Sequence, residues 1–274
     1  STGAVRGQAS VRLDVSSPLP GWSEQSPQDW WAACVNALGQ LRAGWPQEYA
    51  QIACIGLSGQ MHGAVLLDSN DNVIRPAILW NDARAEAEAA ALARDYRAYA
   101  DVTGSLPMAG LTAPKLLWLQ KHEPDAFAAI ACLLSPKDYL RLRLTGIKLT
   151  DMSDAAGTLW LDEANRAWFA PMVTACGLRL DQLPALAEGD AATGTVLAAI
   201  ADQLGLPADV VVAGGGGDNP VSAVGIGAVN GGDSFISLGT SAAIVSVTEA
   251  PLGNPAGGVH SFCHALPGRW YSMG

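Results

Sequence analysis

The sequence has few cysteines and few basic residues, and it contains no long hydrophobic run. Its five cysteines are scattered over 274 residues without a C-x-x-C pair, which indicates reduced thiols and neither a disulfide framework nor a common zinc motif. Lysine and arginine number 16 against 26 acidic residues, and the net charge of −10 argues against a nucleic-acid-binding surface. No stretch approaches the roughly 18 apolar residues of a membrane-spanning helix. We therefore expect a soluble cytoplasmic protein that binds neither nucleic acid nor membrane. The cysteines are Cys34, Cys54, Cys132, Cys176 and Cys263.

Strand-like and helix-like segments alternate along the whole chain. Ser26 followed by Pro27 predicts a helix start, because serine caps the first turn and proline fits its first position. Residues 51–59 predict a buried strand that leads into an exposed loop, and residues 208–215 predict a continuous apolar strand. Residues 151–157 are expected to form a turn. This alternation indicates an α/β domain.

Four consecutive glycines, residues 214–217, stand between an apolar strand and the pair Asp218-Asn219. Such a run costs conformational entropy and has no side chains to pack, so we expect a flexible loop that a substrate approaches closely, with Asp218 aimed at it. The P-loop pattern is excluded because the chain has no Gly-Lys pair. The dinucleotide fingerprint is weak because its last glycine is replaced by Asn219 or Pro220. A purely structural Asp218 at a helix start fits the local pattern equally well.

Two other loops carry polar groups. The turn Gly239-Thr240-Ser241 is of the kind that wraps a phosphate with N–H and O–H donors, although a plain hairpin turn explains it as well. His62 lies in the loop after a predicted strand, where a surface histidine is the simpler interpretation. Trp80 is either a core side chain or the apolar wall of a sugar site.

Eight longer motifs are spread along the chain: LSGQMHG, PAILWND, GLTAPKLLWLQKH, SPKDYLRLRLTG, DMSDAAGTLWLD, VVAGGGGDN, ISLGTS and VHSFCHALP. These motifs resemble those of the xylulokinases of the FGGY group of sugar kinases, and the resemblance covers residues 20–272. It implies an actin/hexokinase-like, ribonuclease H-like α/β fold with a mixed sheet and flanking helices. Residues 1–228 would form the N-terminal sugar-binding lobe, and residues 229–274 the opening hairpin of a truncated C-terminal ATP-binding lobe.

The resemblance also implies an activity, the ATP-dependent phosphorylation of D-xylulose to D-xylulose 5-phosphate with Mg²⁺. It makes Asp218 the general base and a metal ligand, and it assigns Gly239 and Thr240 to the ATP phosphates. The implied ketose contacts are Met61, His62, Trp80 and Asn219. Two alternatives stay open: a sugar-binding lobe without turnover, and a kinase for another ketose or polyol. Pro220 and Ala242 depart from the residues usual in the family.

Both ends of the chain look cut. Residues 1–13 are similar to the second half of a β-hairpin, and the family's first phosphate loop and most of its second lobe have no counterpart here. We therefore expect these 274 residues alone to be inactive. An unpaired sheet edge would favour self-association, for example as a homodimer.

Three other groups of polar residues have simpler explanations than a site. His260, Cys263 and His264 are more consistent with packing at a strand end than with a metal cluster. Glu86 and Glu88 are expected on the solvated face of a helix. The pair Asp151 and Asp154 is explained by local hydrogen bonds in a turn.

Overall fold

The structure is a computed structural model that describes residues 3–238 and 242–274. Its helices are α1 Pro27–Gly44, α2 Pro46–Tyr49, α3 Glu86–Asp95, α4 Ala100–Thr103, α5 Thr112–His122, α6 Pro124–Ala128, α7 Pro136–Thr145, α8 Met152–Ala156, α9 Ala170–Ala175, α10 Ala198–Leu204 and α11 Asp218–Ile226. Its strands are β1 Glu24–Gln25, β2 Cys54–Ile55, β3 Ser58–Gly59, β4 Val65–Leu67, β5 Ala77–Ile78, β6 Cys132–Leu134, β7 Leu149–Asp151, β8 Leu161–Asp162, β9 Ala167–Trp168, β10 Ala185–Ala187, β11 Ala192–Thr195, β12 Val211–Ala213, β13 Gly216–Gly217, β14 Ser234–Leu238, β15 Ala242–Thr248, β16 His260–Cys263 and β17 Trp270–Met273.

A mixed sheet brings two distant loops to one edge. Strand β12 lies between β11, which is antiparallel to it, and β2, which is parallel to it. Further along the same two chain segments, β13 pairs parallel with β3, and Gly217 faces Gly59. Because the carboxyl ends of parallel strands meet at the same edge, the loop after Gly59 and the start of α11 become neighbours. This pairing is what places the candidate site.

Two hydrophobic cores lie on opposite sides of strand β4. Leu66 packs into one core together with Trp160 and Leu116, whereas its neighbours Val65 and Leu67 pack into the other. Successive side chains of a strand point to opposite faces, so the alternation follows directly from strand geometry. The fold is therefore layered, with helices over both faces of short strands.

Residues 234–273 contribute a separate antiparallel sheet in the order β14-β15-β17-β16. This sheet packs against the preceding part of the chain, and its Phe262 and Tyr271 share a core with Met152 of α8. Trp270 also donates its indole N–H to the carbonyl oxygen of Glu163 at 2.9 Å. The later sheet is thus fixed against the body that carries the sheet edge described above.

The helix start at Ser26 and Pro27 is confirmed, since Ser26 caps α1 by accepting the backbone N–H of Asp29. Two other expectations are wrong. Residues 51–59 form two short strands that are half-buried to exposed. The reason is that β2 is an edge strand: it pairs with β12 on one side, and among the described residues no strand pairs with its other side. Residues 151–157 contain helix α8 instead of a turn, capped by the Asp151 carboxylate.

Residues 3–13, the described part of the segment 1–13 that was expected to form half of a hairpin, contain no strand. They are mostly exposed, and the first pairing after them is an isolated bridge between Ser16 and Glu24. Among the described residues, no helix combines the length and the apolar character that crossing a membrane requires.

Candidate functional site

A cavity of about 270 Å³ opens at the shared edge of β3 and β13. It gathers all five residues that the resemblance assigns to the base and the ketose, although they come from three separate stretches of sequence. The two remaining candidates, Gly239 and Thr240, lie outside the described residues. The cavity is lined by Met61, His62, Trp80, Asp218, Asn219, Ser237, Ala243 and Met273.

The glycine run beside this cavity is packed by the protein itself, so the expectation of a flexible loop open to substrate is wrong. A Cβ on Gly214 would overlap the carbonyl oxygen of Glu188, and one on Gly215 would overlap that of Leu57. A Cβ on Gly217 would lie 2.5 Å from Cγ of Met61. Glycine is therefore required here because neighbouring backbone and side chains occupy the space that a side chain needs.

Asp218 begins helix α11 and projects from this packed segment. Its Oδ1 accepts the backbone N–H of Asn219 at 2.9 Å. The residue stays exposed at the cavity, yet the surrounding protein removes part of the water around its carboxyl group and so raises the pKa of Asp218 above its ordinary value. A carboxylate with a raised pKa is a better proton acceptor than a fully solvated one.

His62 is held by contacts at both its ring and its backbone. Its φ of +68° is uncommon for a residue other than glycine. The carbonyl oxygen accepts hydrogen bonds from Lys115 Nζ at 2.7 Å and from Thr112 Oγ1 at 3.2 Å. Ring Nδ1 lies 2.8 Å from the carbonyl oxygen of Gly157. The surface-histidine interpretation is wrong, because the half-buried ring is fixed in a wall of the cavity.

The protonation state of His62 follows from these contacts. Burial, reinforced by the positive charge of Lys115, lowers the pKa of His62 to about 4. The imidazole is then neutral at physiological pH. Because a carbonyl only accepts, Nδ1 must carry the proton that it shares with Gly157, and Nε2 is left as a hydrogen-bond acceptor.

Trp80 forms an apolar wall with 54% of its surface exposed, so it is not a core residue. The turn that follows it is rigid. The buried Asp82 accepts the backbone N–H of Ser23 at 2.6 Å and pairs with Arg84 Nη2 at 2.7 Å. The guanidinium of Arg84 in turn lies 3.6 Å from the ring centroid of Trp22. An exposed indole on a fixed turn is suited to stacking against a ligand.

Met61 contributes little free surface, with only 4% exposed. Its sulfur lies 3.7 Å from the hydroxyl of Tyr271, and its side chain packs against Gly217. Met61 therefore serves mainly as the floor that joins the loop after β3, the glycine run and the later sheet.

Sequence reasoning missed Lys115, which is fully buried and donates to the carbonyl oxygens of both His62 and Gly110 at 2.7 Å. Burial lowers the pKa of Lys115 to about 7. The signal was a lone cation within the apolar run of GLTAPKLLWL. A charged residue on the core face of a helix needs buried partners, and here one partner is the carbonyl oxygen of His62, in the loop after β3.

The other polar groups divide between simple packing and a larger structural role. In the described residues, no cluster of three or more His, Cys, Asp or Glu side chains is arranged to hold a metal. The expectation for Glu88 is wrong, because its side chain is buried and faces Lys121 at 3.6 Å across to helix α5. Local hydrogen bonds alone do not explain Asp151 and Asp154, which are buried beside Lys137.

Comparison with known proteins gives a consistent result. The model of the FGGY family of carbohydrate kinases, N-terminal domain, matches residues 1–225. The xylulose kinase of Escherichia coli is 49% identical over 271 residues, which cover 99% of this chain and 55% of that protein. The xylulose kinase of Klebsiella pneumoniae is 48% identical, with 99% and 56% covered.

A crystal structure described as a xyloylose kinase from Brucella ovis superposes with a TM-score of 0.94 at 52% identity, over 96% of this chain and 54% of that one. The chain thus spans about half the length of the relatives that it matches.

Proposed function

Because the chain belongs to the FGGY family of carbohydrate kinases, we propose that it forms the sugar-binding part of an enzyme that phosphorylates D-xylulose with ATP. The observation that carries the proposal is the single cavity lined by Met61, His62, Trp80, Asp218 and Asn219. Its volume of about 270 Å³ is near the lower end of ligand pockets, which favours a small sugar over a bulky ligand. Similar chains named xylulose kinase support the choice of ketose.

In this proposal, residues 1–228 are the N-terminal lobe and residues 229–274 begin the ATP-binding lobe. Support comes from the fold, because α11 ends at Ile226 and a separate antiparallel sheet begins at Ser234. We also propose a cytoplasmic location, since all five cysteines are free thiols.

Asp218 is the residue that we assign to the proton transfer. As the 5-hydroxyl oxygen of the ketose bonds to the γ-phosphorus, the bond from that phosphorus to the ADP oxygen breaks, and the hydroxyl proton passes to the Asp218 carboxylate. In the complex, His62 Nε2 accepts a hydrogen bond from another sugar hydroxyl, Asn219 supplies an amide, and Trp80 covers the apolar side of the sugar. These groups position the hydroxyl, which is a large part of catalysis in phosphoryl transfer.

The residues present fit a magnesium ion that arrives with the nucleotide. Mg²⁺ keeps several waters and takes one or two carboxylates together with substrate phosphates. Among the described residues that line the cavity, Asp218 is the one carboxylate, and we propose it as the protein ligand. When bound, the ion neutralises charge on the transferring phosphoryl group.

The test is sugar-dependent ADP release by the complete protein, measured with a coupled assay for D-xylulose, other ketoses and glycerol. We expect Asp218→Asn to lower kcat by roughly 10²–10⁴-fold, because it removes the proton acceptor, with an almost unchanged melting temperature. Asp202→Asn, at an exposed position of α10 away from the cavity, is the matched control.

Three results would contradict parts of this proposal. Normal turnover by a folded Asp218→Asn protein would show that Asp218 is not the general base. If the protein phosphorylates another sugar or polyol faster than D-xylulose, that compound and not D-xylulose is its substrate. Ketose binding without any ADP release by the unaltered protein indicates a sugar-binding protein without turnover.

A further inference from the structure

Five charged side chains form a cluster beside the glycine run, and none of them lines the cavity. Lys137 Nζ lies 2.6 Å from Asp138, 2.8 Å from Asp151 and 3.2 Å from Asp154. Arg141 Nε lies 3.6 Å from the same Asp138 oxygen. All five residues are at most 1% exposed. We call them the charged cluster, and its members are Lys137, Asp138, Arg141, Asp151 and Asp154.

The charged cluster is costly to bury, which makes stability alone a poor explanation for it. Two cations stand against three carboxylates. Burial, together with the neighbouring Asp151 and Asp138, raises the pKa of Asp154 to about 8 against the opposing effect of Lys137, so Asp154 is protonated at neutral pH and the charges balance. Well-packed apolar residues often stabilise a core at least as well as a buried ion pair. The arrangement of the cluster therefore calls for another explanation.

Hydrogen bonds connect the charged cluster to both ends of the glycine run. At the first end, Arg141 Nη2 donates to the carbonyl oxygens of Ala213 at 2.8 Å and Gly214 at 2.5 Å. At the second end, the connection passes through Ser153. Its hydroxyl donates to Asp151 Oδ2 at 2.5 Å and accepts the backbone N–H of Gly217 at 3.0 Å.

The path from Lys137 to Asp218 is therefore continuous: the ammonium holds Asp151, Asp151 orients the Ser153 hydroxyl, and the hydroxyl holds the N–H of the residue before Asp218. Gly217 has no side chain to fix its position, and the Ser153 hydroxyl accepts its backbone N–H. That N–H belongs to the peptide bond between Gly216 and Gly217, so the hydrogen bond fixes the backbone one residue before the peptide bond that leads into Asp218.

We propose that Ser153 is a positioning residue that transmits the rigidity of the charged cluster to Asp218. The inference rests on the proposed function, because Asp218 is the residue whose placement it explains. Ser153 touches neither sugar nor nucleotide in this scheme. It acts by keeping the peptide of Gly217 in one orientation, which a general base requires because displacement of about 1 Å can cost about 100-fold in rate.

Ser153→Ala is the variant that isolates this role, since it leaves all five charges in place and removes one hydroxyl. Ser153→Thr keeps the hydroxyl. Ser105→Ala is the matched control, because Ser105 is equally buried and lies outside the charged cluster. The complete protein is used for each, with two measurements: hydrogen–deuterium exchange of the peptide spanning residues 213–220, and kcat and KM for the ketose.

We expect Ser153→Ala to exchange faster in residues 213–220 than elsewhere and to lower kcat by up to about 100-fold, with a smaller change in KM. Ser153→Thr should keep most of the turnover, and Ser105→Ala should change neither quantity. Unchanged local exchange, a loss of protection spread evenly over the chain, or equal loss of turnover in Ser153→Thr would each overturn the proposal. The exchange measurement needs no substrate, so an unaltered protein that phosphorylates no sugar would refute the proposed function without deciding the role of Ser153.

Discussion

His62 combines an unfavourable backbone conformation with a precisely held ring. A positive φ outside glycine costs of order 1–3 kcal/mol, and here it is offset by hydrogen bonds from Lys115 and Thr112 to the carbonyl oxygen. Gly157 completes the arrangement, because a Cβ there would lie 2.6 Å from Nδ1 of His62. These contacts hold the ring in the wall of the cavity, with Nε2 as its hydrogen-bond acceptor.

We predict that His62→Ala, made in the complete protein, raises KM for the proposed ketose substrate while kcat and the affinity for ATP change little. One lost hydrogen bond is worth about 0.5–1.5 kcal/mol, which corresponds to roughly 2- to 12-fold in KM. His122→Ala, at an exposed position of α5, is the control. Because the pKa of His62 is lowered to about 4, KM of the unaltered enzyme should not show a histidine titration between pH 5 and 8. An inflection near pH 6.5 that disappears in His62→Ala would contradict the neutral imidazole.

The residues that line the cavity were predictable only in part. Asp218, His62 and Trp80 followed from motifs that resemble a known family, and the structure does bring them together. Lys115 and Ser153 were not predicted, because nothing in a local pattern tells which carbonyl or N–H a buried side chain will reach. Such contacts join residues 53 and 64 positions apart in the chain, as for Lys115 with His62 and Gly217 with Ser153.

The glycine run is the element where sequence reasoning went wrong in an informative way. Its entropy cost and lack of side chains suggested flexibility, but every one of the four glycines faces protein atoms too close for a Cβ. Residues 216–217 even form a strand with β3. Glycine can therefore indicate close packing of backbone against backbone as well as freedom, and the two cannot be separated without knowledge of the neighbours.

We predict opposite stability effects for two Gly→Ala changes only ten residues apart. Gly215 has a φ of +73° and its Cβ would meet Leu57, so Gly215→Ala should lower the free energy of unfolding by more than about 1–3 kcal/mol. Gly225 lies within α11 with open space around it, so Gly225→Ala should raise that free energy by about 0.5–1 kcal/mol. Denaturant unfolding measures both. If the Gly215→Ala protein were as stable as the original, the backbone of residues 214–217 would be able to shift and make room for the Cβ atom.

At the scale of the whole molecule, alternation of strands and helices was sufficient to predict an α/β fold, and the motifs were sufficient for the family. The charged cluster was not foreseen, because PKDYLRLRL has the charge spacing of a solvated helix face. In the structure, α7 is covered instead, and Lys137 and Arg141 point into the protein beneath the glycine run. Burial of this kind depends on the complete tertiary arrangement, since a buried cation needs partners, and two partners of Lys137, namely Asp151 and Asp154, come from outside α7.

The charged cluster also makes the stability of the whole fold depend on pH through Asp154. Its pKa is about 8 in the folded protein against an ordinary value of 3.8, chiefly because it is buried and also because it stands beside two other carboxylates. Between these two values the folded state holds a proton that the unfolded state has lost. The free energy of unfolding therefore falls as pH rises from about 4 to about 8, by at most about 1.4 kcal/mol per pH unit from this group.

Asp154→Asn should remove this contribution, because asparagine stays neutral at every pH and keeps an oxygen for Lys137. We expect the variant to gain stability over the original as pH rises, with a larger difference in melting temperature at pH 9 than at pH 5. Asp202→Asn, which is exposed, should leave the two pH profiles parallel. If Asp154 were already ionised in the folded protein at pH 7, Asp154→Asn would instead remove one of the carboxylates that offset Lys137 and Arg141. The variant would then be less stable than the original at pH 7, a result that would contradict both the protonated Asp154 and the balanced charges of the cluster at neutral pH.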